Sequence, residues 1–538
     1  MTQDITSGGG HPSHPSHPDN TPAGNRQTAQ VENQYADAND PDRKKRREKL
    51  GEEIRQRVKN ITFFKLTEEL DLNEQFNKFE AAAGPMFDGD YQTNMVPGSS
   101  LQPDGLFFHD EKTSKTFATA QVILEAKWLA AVDEFPKDTL GQIGDYVLRV
   151  WEEQFTRVYV PVLVLHGGYA SIMVFTRNDA FLGNVCDVGN DCDNLRFYHD
   201  ESLNRMERTA KSMGDDIVRL GDRIKRPVKI FRRTSYMFWA TLDKQDVVLK
   251  LVWTTTYCYP EGAGYKVIEH DCAGLIPLVL KSGVLIPDSF GYRLEFLVIE
   301  NCGVTIDEYA ADCRKQGMER EVFSVTLVQA IRSVATCLKN AYFAGVIHRD
   351  VSAGNIAIKA GKARLIDWGY SRLRNDMEIP NLASIEEEFA FNNKFAGMEG
   401  RRHDSLTGTP FFMSIQVLLE TKARGLIHDL ESLFYVGLYA YATFSGTVDR
   451  KTEKYPQGFQ PAGNQAAAAI RVGCLSSKYY YLELFGVTDC PEDLASLFDT
   501  MYQLLFIQDD EFIGGKLLAR PDFERHFDLD KAAELLFD

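Results

Sequence analysis

No stretch of the chain reaches the roughly 18 consecutive apolar residues that a membrane-spanning helix needs, and the first 40 residues hold no apolar secretory core. Both absences predict an intracellular protein, in nucleus or cytoplasm, with no membrane partner. Cysteine is sparse: nine among 538 residues, an odd number, with only a loose Cys186/Cys192 pair. That spacing predicts neither a disulfide framework nor a zinc cage, and the thiols read as reduced. Positive charge is also short. Lys and Arg number 60 against 77 Asp and Glu, a net charge of −17, which argues against nucleic acid held by bulk attraction.

What is present is an ordinary globular composition, 44% hydrophobic and 25% charged, in a chain long enough for two or three domains. Residues 1–58 read as a disordered tail. Gly8-Gly9-Gly10 and the run His11-Pro12-Ser13-His14-Pro15-Ser16-His17-Pro18 offer almost nothing to bury, and proline after each histidine prevents a compact metal cage. The tail ends in five consecutive bases, Arg43 to Arg47. This run suits a nuclear import receptor, or else a charged helix start leading into Glu52, Glu53 and Ile54.

From 59 to 205 the pattern is α/β. Gln121–Leu124 and the nearly continuous apolar run Val158–Leu165 predict strands, with a helix over Gln142–Glu153 between them. Residues 206–214 read as a linker helix. Val228–Phe231, Tyr236–Leu242 and Val247–Trp253 then predict an antiparallel meander, and Leu294–Ile299 a further strand ending at Glu300-Asn301-Cys302-Gly303. Beyond that point the chain reads as helical: Leu327, Ile331, Val334 and Leu338 share one helix face. The expected fold is therefore α+β, with a β-rich lobe over 206–302 and a helical lobe over 303–538, preceded by the smaller α/β domain.

The chemistry concentrates in the helical part. His348-Arg349-Asp350 continues into Val351-Ser352-Ala353-Gly354-Asn355, and Asp367-Trp368-Gly369 follows twelve residues after Asn355. Upstream stands Val247-Val248-Leu249-Lys250; downstream come Thr407-Gly408-Thr409-Pro410-Phe411-Phe412-Met413 and His428-Asp429-Leu430-Glu431-Ser432. In this order the motifs resemble the protein kinase superfamily, and as an ensemble the fungal-type protein kinase family, over roughly the last 320 residues. The resemblance implies a bilobal kinase fold using ATP and Mg²⁺ on a protein hydroxyl of the Ser/Thr type. Residue by residue it implies Asp350 as base, Asn355 and Asp367 as metal ligands, and Lys250 on the α/β-phosphates. Arg349 becomes the partner of a phosphorylated segment, and Glu300 and Cys302 contact the nucleotide. Glu269, nineteen residues after Lys250, is the expected ion-pair partner, with Glu261 also in range.

Two departures stand against that pattern. No Gly-x-Gly-x-x-Gly occurs between Gly221 and Lys250; the turn reads Arg232-Arg233-Thr234-Ser235, leaving arginine side chains to cover the phosphates. Ser414-Ile415-Gln416 replaces Ala-Pro-Glu, so Gln416 lacks the charge for the usual ion pair with a C-lobe arginine. A pseudokinase scaffold and a small-molecule phosphotransferase therefore stay open as alternatives; Arg349, Asp429 and the 407–413 segment speak against the latter. In the upstream domain, Asp104, the strand-borne Glu125 and Lys127, and Gln142 and Tyr146 on one helix face resemble a PD-(D/E)xK nuclease fold in order. A docking role without cleavage is the expected outcome there.

Overall fold

The computed structural model describes residues 41–60, 103, 105–108, 117, 120–127, 135–155, 157–166, 169–182, 186–187, 219–224, 233–256, 258–289, 291–374, 376–389, 409–419, 424–450, 452–477, 480–519, 527–532 and 536–537. Its described parts divide into two compact units.

The first unit begins with a helix, α1, Pro41–Arg55, followed by β1, Val58–Asn60. The tail expected over 1–58 is thus helical at its end, where it meets opposite charges on the helix that begins at Lys137: Arg47 Nε lies 2.8 Å from Asp145, and Glu52 pairs with Lys137. The remaining strands are β2 (Gly105–Phe108), β3 (Ala120–Lys127), β4 (Tyr159–His166), β5 (Tyr169–Thr176), β6 (Ala180–Leu182) and β7 (Cys186–Asp187). They form one sheet ordered β1-β6-β5-β4-β3-β2, with β7 beside β5. Helix α2, Lys137–Glu153, joins β3 to the parallel β4 and buries Leu140, Ile143, Val147 and Trp151, a 3–4 spacing that puts all four on one face.

The second unit contains a five-stranded antiparallel sheet ordered β11-β12-β10-β9-β8. Its strands are β8 (Arg219–Ile224), β9 (Thr234–Leu242), β10 (Gln245–Thr255), β11 (Val279–Ser289) and β12 (Tyr292–Glu300). A short helix, α3, Glu261–Ile268, stands between β10 and β11. The first strand lies at 219–224, earlier than the expected Val228–Phe231, which falls outside the described residues, as does the 206–214 segment. β11 had no clear signature; its register shifts repeatedly against β12, and Gly283 and Pro287 interrupt its alternation.

The boundary expected at 205 is not clean. Residues 155–159 and 176–179 belong to the second unit. Phe155 and Val158 join Tyr236, Phe238, Leu249, Trp253 and Phe296 in the core on one sheet face. The other face, through Val248, Leu297 and Ile299, is continuous with the helical core.

After Gly303 the chain runs through α4 (Ile306–Lys315), α5 (Arg320–Phe343), the antiparallel hairpin β13 (Ile356–Lys359) and β14 (Lys362–Leu365), then α6 (Ile415–Leu418), α7 (Leu426–Ser445), α8 (Asn464–Leu475) and α9 (Glu492–Phe506). Gly303 has φ +90°, and a Cβ there would collide with the Ile358 carbonyl, so only glycine fits this crossing. Among the described residues, α5 alone has the length and apolar content of a membrane span. Its Leu327, Ile331, Val334 and Leu338 are buried in the core instead. Cys272, Cys302, Cys313, Cys337 and Cys474 are buried free thiols.

Candidate active site

Lys250 sits on the central strand β10, in register with Met237 on β9 and Leu297 on β12. A lysine there is 3% exposed, a position tolerable only if the ammonium is paired. Its Nζ lies 2.8 Å from Glu261 Oε1, 2.7 Å from Oε2 and 2.8 Å from Asp367 Oδ1. The ion-pair partner is therefore Glu261. Glu269 is exposed beyond the end of α3. The expected spacing failed because α3 starts directly after Pro260 and spans little more than two turns, so its first residue is the one that faces β10. Pro260-Glu261 is itself a helix-start signal that could have identified it.

Glu261 is held from behind. Its N–H donates to Glu295 Oε2 at 3.0 Å, and Arg293 Nε donates to Glu295 Oε1 at 2.6 Å. Burial pushes the Glu261 carboxyl up, opposed chiefly by Lys250 and also by Arg233. With cations this close on both oxygens, the carboxylate stays ionised at neutral pH.

Asp367 follows β14 in a left-handed conformation, φ 62°. Trp368 is fully buried, its Nε1 donating to Leu365 O at 3.2 Å and its ring lying edge-on to His348 at 4.6 Å. His348 is neutral: burial holds its pKa down at about 4. Its Nδ1 accepts from the Asp350 N–H at 3.2 Å, so Nε2 carries the proton toward Ile366 O, also 3.2 Å away. Arg349 takes φ 71°. A non-glycine residue in that region costs about 1 kcal/mol or more, and the tie of its N–H, with that of His348, to the Asp429 carboxylate at 3.1 and 3.0 Å offsets the cost.

Asn355 Nδ2 donates to Asp350 O at 2.8 Å and to Asp350 Oδ2 at 3.2 Å. This commits the amide nitrogen and leaves the amide oxygen, a metal-ligating atom, for other partners. Asp350 Oδ1 is buried and has no hydrogen-bond partner among the described residues. Burial, with Asp367 adding to it, pushes the Asp350 carboxyl up to about 7, against the opposing pull of Asn355. An orphaned carboxylate oxygen with a near-neutral pKa is suited to accepting a proton. The donor set fits Mg²⁺ as well, since Asp367 and Asn355 are hard oxygen ligands too few for an all-protein cage. Among the described residues no three His, Cys, Asp or Glu side chains cluster as a metal site.

Beside this loop, Arg349, Thr409, Ser414, Arg424 and His428 line a cleft with Asp350. The missing glutamate at 416 is replaced by other bonds. His428 Nε2 lies 3.1 Å from Gln416 Oε1, and its Nδ1 accepts from Gly425 N at 3.0 Å. Arg471, fully buried, donates to the carbonyls of Pro410 and Phe411 at 2.7 Å each and to that of Met413. Glu431 Oε1 accepts from Ile415 N at 2.8 Å. Thr407 and Gly408 lie outside the described residues.

Glu300 closes β12, its carboxylate 3.1 Å from Arg364 and accepting from Leu278 N at 3.2 Å. Cys302 is buried, its thiol pushed up to about 12 by that burial. In the other unit, Glu125 is buried on β3, and Gln142 Nε2 donates to Tyr146 OH at 2.7 Å. Lys127 lies two residues along the same strand from Glu125. Asp104 and the Lys127 side chain lie outside the described residues. Glu295 and Arg471 carried no signal in the sequence, since each is recruited by the fold and not by a motif; Arg233 was marked only by standing in a turn that lacks glycine.

Residues 297–441 match the family model described as fungal protein kinase. The matched segment runs from the last residues of β12 into α7 and contains His348, Asp350, Asn355 and Asp367. The match does not reach the upstream unit. No curated protein matches the chain. Similar solved structures include the Cydia pomonella granulovirus kinase PK-1, with 11% identity and a TM-score of 0.36 over 62% of this chain and 98% of that one. Vaccinia related kinase 3 gives 15% identity and a TM-score of 0.32 over 54% of this chain and 87% of that one.

Proposed function

We propose that this chain is an ATP- and Mg²⁺-dependent protein kinase that phosphorylates serine or threonine hydroxyls of a protein substrate, through a two-lobed kinase fold. The observation that carries the reading is the convergence of Lys250 on Glu261 and Asp367, with Asp350 held by Asn355 nearby. Mg²⁺·ATP supplies the γ-phosphoryl group and the neutralising charge for its transfer. Lys250, fixed by Glu261, offers its ammonium to the phosphates. Asp367 and the amide oxygen of Asn355 are the ligands that would hold the metal. Asp350 accepts the hydroxyl proton at Oδ1 as the substrate oxygen bonds to phosphorus and the bond to the ADP oxygen breaks. Glu300 and Cys302, between sheet and helices, fit the adenine end. Arg349, Arg424 and His428 favour a peptide substrate or segment carrying an acidic group over a small molecule.

The test is autophosphorylation and peptide phosphorylation by wild type beside Asp350→Asn and Lys250→Met. Both variants are expected to lose transfer by at least about a thousandfold while staying folded. Wild-type rates in Asp350→Asn would sink the reading, leaving a scaffold that only binds. For the upstream unit we propose docking or recognition of the substrate. Its exposed Lys44 and Lys45 on α1 suit an import receptor, with Arg47 engaged by Asp145.

A further inference from the structure

Arg233 stands in the turn where the sequence offers arginine in place of glycine, and its guanidinium lies inside the cleft. Nη2 is 2.9 Å from Glu261 Oε2 and 3.7 Å from Asp367 Oδ1, and the group lies over the Tyr370 ring at 4.8 Å. Gly369 lies directly beneath it: a Cβ at that position would collide with the guanidinium nitrogens. Arg233 comes from the turn that enters β9, one residue before the first ladder pair, Thr234 with Trp253. Elsewhere in the superfamily this turn is where glycine backbone would meet phosphate; here a cation stands on the two acids instead.

We propose that Arg233 is the γ-phosphate clamp of this kinase, resting on Glu261 and Asp367 and swinging to the terminal phosphate when nucleotide enters. The inference rests on the kinase reading above. Its physical basis is competition for Asp367. That carboxylate now touches two cations, Lys250 and Arg233, and a divalent ion on it must displace one. Lys250 is the poorer candidate to leave, being 3% exposed on the central strand with three contacts of 2.7 to 2.8 Å. Arg233 holds Asp367 only at 3.7 Å, its side chain is 15% exposed, and it begins outside the paired part of the strand. A guanidinium displaced from one carboxylate keeps its fork free for two parallel bonds to a phosphate, a geometry lysine lacks. The charges also match. The triphosphate brings more negative charge than one Mg²⁺ cancels, and Arg233 is the described cation nearest the metal ligand that is not already fixed by the sheet. Gly369 then has a packing reason to be glycine, since any side chain would evict the clamp from its resting place.

The experiment is equilibrium binding by calorimetry to full-length protein, with Mg²⁺ and either a non-hydrolysable ATP analogue or ADP. Wild type is expected to prefer the analogue over ADP. Arg233→Ala should weaken analogue binding by about 10- to 100-fold while changing ADP by less than threefold, which abolishes the preference. Arg233→Lys should recover only part of the loss. Because Glu261 keeps Lys250, Arg233→Ala is expected to fold; Arg233→Gln provides a second neutral variant of similar volume. Equal losses for both nucleotides, or no loss, would make Arg233 structural and overturn the clamp. Tighter binding of both would show instead a plug that nucleotide must expel, and also overturns it. If wild type binds ADP without preferring the analogue, the clamp fails while the kinase reading stands. If wild type binds neither, both fail together.

Discussion

At the scale of single residues, Asp350 carries the most testable property. A carboxyl raised to about 7 binds its proton more tightly in the folded chain than in the unfolded one. Its stabilising contribution is therefore fully present below the ordinary aspartate value near 4, and it is lost as pH rises through about 7. Asp429, pushed up to about 6 by burial despite its two backbone donors, adds in the same direction over a lower window. The transfer proposed above has the opposite slope, because in it only the ionised Asp350 takes a proton. The expected profile is kcat/KM rising through about pH 7 while thermal stability falls over pH 4 to 7. Asp350→Asn removes the buried charge, so it should melt higher than wild type at pH 8, by about 1 to 2 kcal/mol after allowance for residual solvent contact, with the gap closing toward pH 4. Calorimetric melting of both proteins across that range checks it; a variant less stable at pH 8 overturns the assignment. The motif residues were legible because their chemistry demands fixed types at short spacing. Glu261 and Arg233 were legible only as candidates, Glu261 behind Glu269 and Arg233 beside Arg232, because the choice depends on where a short helix starts and how a turn folds back.

At the scale of elements, the segment 409–418 shows how a lost ion pair is replaced. With Gln416 unable to supply charge, Arg471 is anchored by the backbone carbonyls of Pro410, Phe411 and Met413 and by the face of Tyr435 at 4.4 Å. Arg471→Ala should strand the buried Met413 carbonyl and the part-buried carbonyls of Pro410 and Phe411, and destabilise the fold by about 2 to 4 kcal/mol. Its signature is local: amide exchange at Phe412 and Met413, whose N–H groups bond Thr409 O at 2.8 and 3.2 Å, should accelerate more than exchange in α9. Uniform acceleration across the chain would mean that Arg471 is a general core residue and does not brace this segment. Strongly periodic elements such as α5 were readable from sequence. β11 and β8 were not, since a strand whose register shifts, or which opens a sheet edge, leaves no regular alternation to find.

At the scale of the whole molecule, the chain's own order misleads about where the second unit begins. Residues 155–159 and 176–179 are upstream in sequence but cover one face of the five-stranded sheet. Trp253 Nε1 donates to Phe155 O at 2.7 Å. Arg177, 2% exposed, lies 5.2 Å over the Trp253 ring, and donates to Tyr236 OH at 3.2 Å and to the carbonyls of Phe155 and Arg157 at 3.4 and 3.3 Å. Burial disfavours the Arg177 charge, and Tyr236 opposes that shift; its bonds are what keep the ion tolerable there. A chain beginning at residue 206 lacks all of these groups and leaves Tyr236, Phe238, Leu249 and Trp253 facing water. Exposing a few hundred Å² of apolar surface costs on the order of 5 kcal/mol, a large share of a domain's net stability. Such a chain should therefore be insoluble or melt well below the full-length protein. Arg177→Ala in the full chain should weaken the same unit by about 2 to 4 kcal/mol, with increased amide exchange in β9 and β10. A 206–538 chain that melts with the full-length protein would show the sheet to be self-sufficient. The cover over Trp253 would then be incidental, and the boundary at 205 would stand.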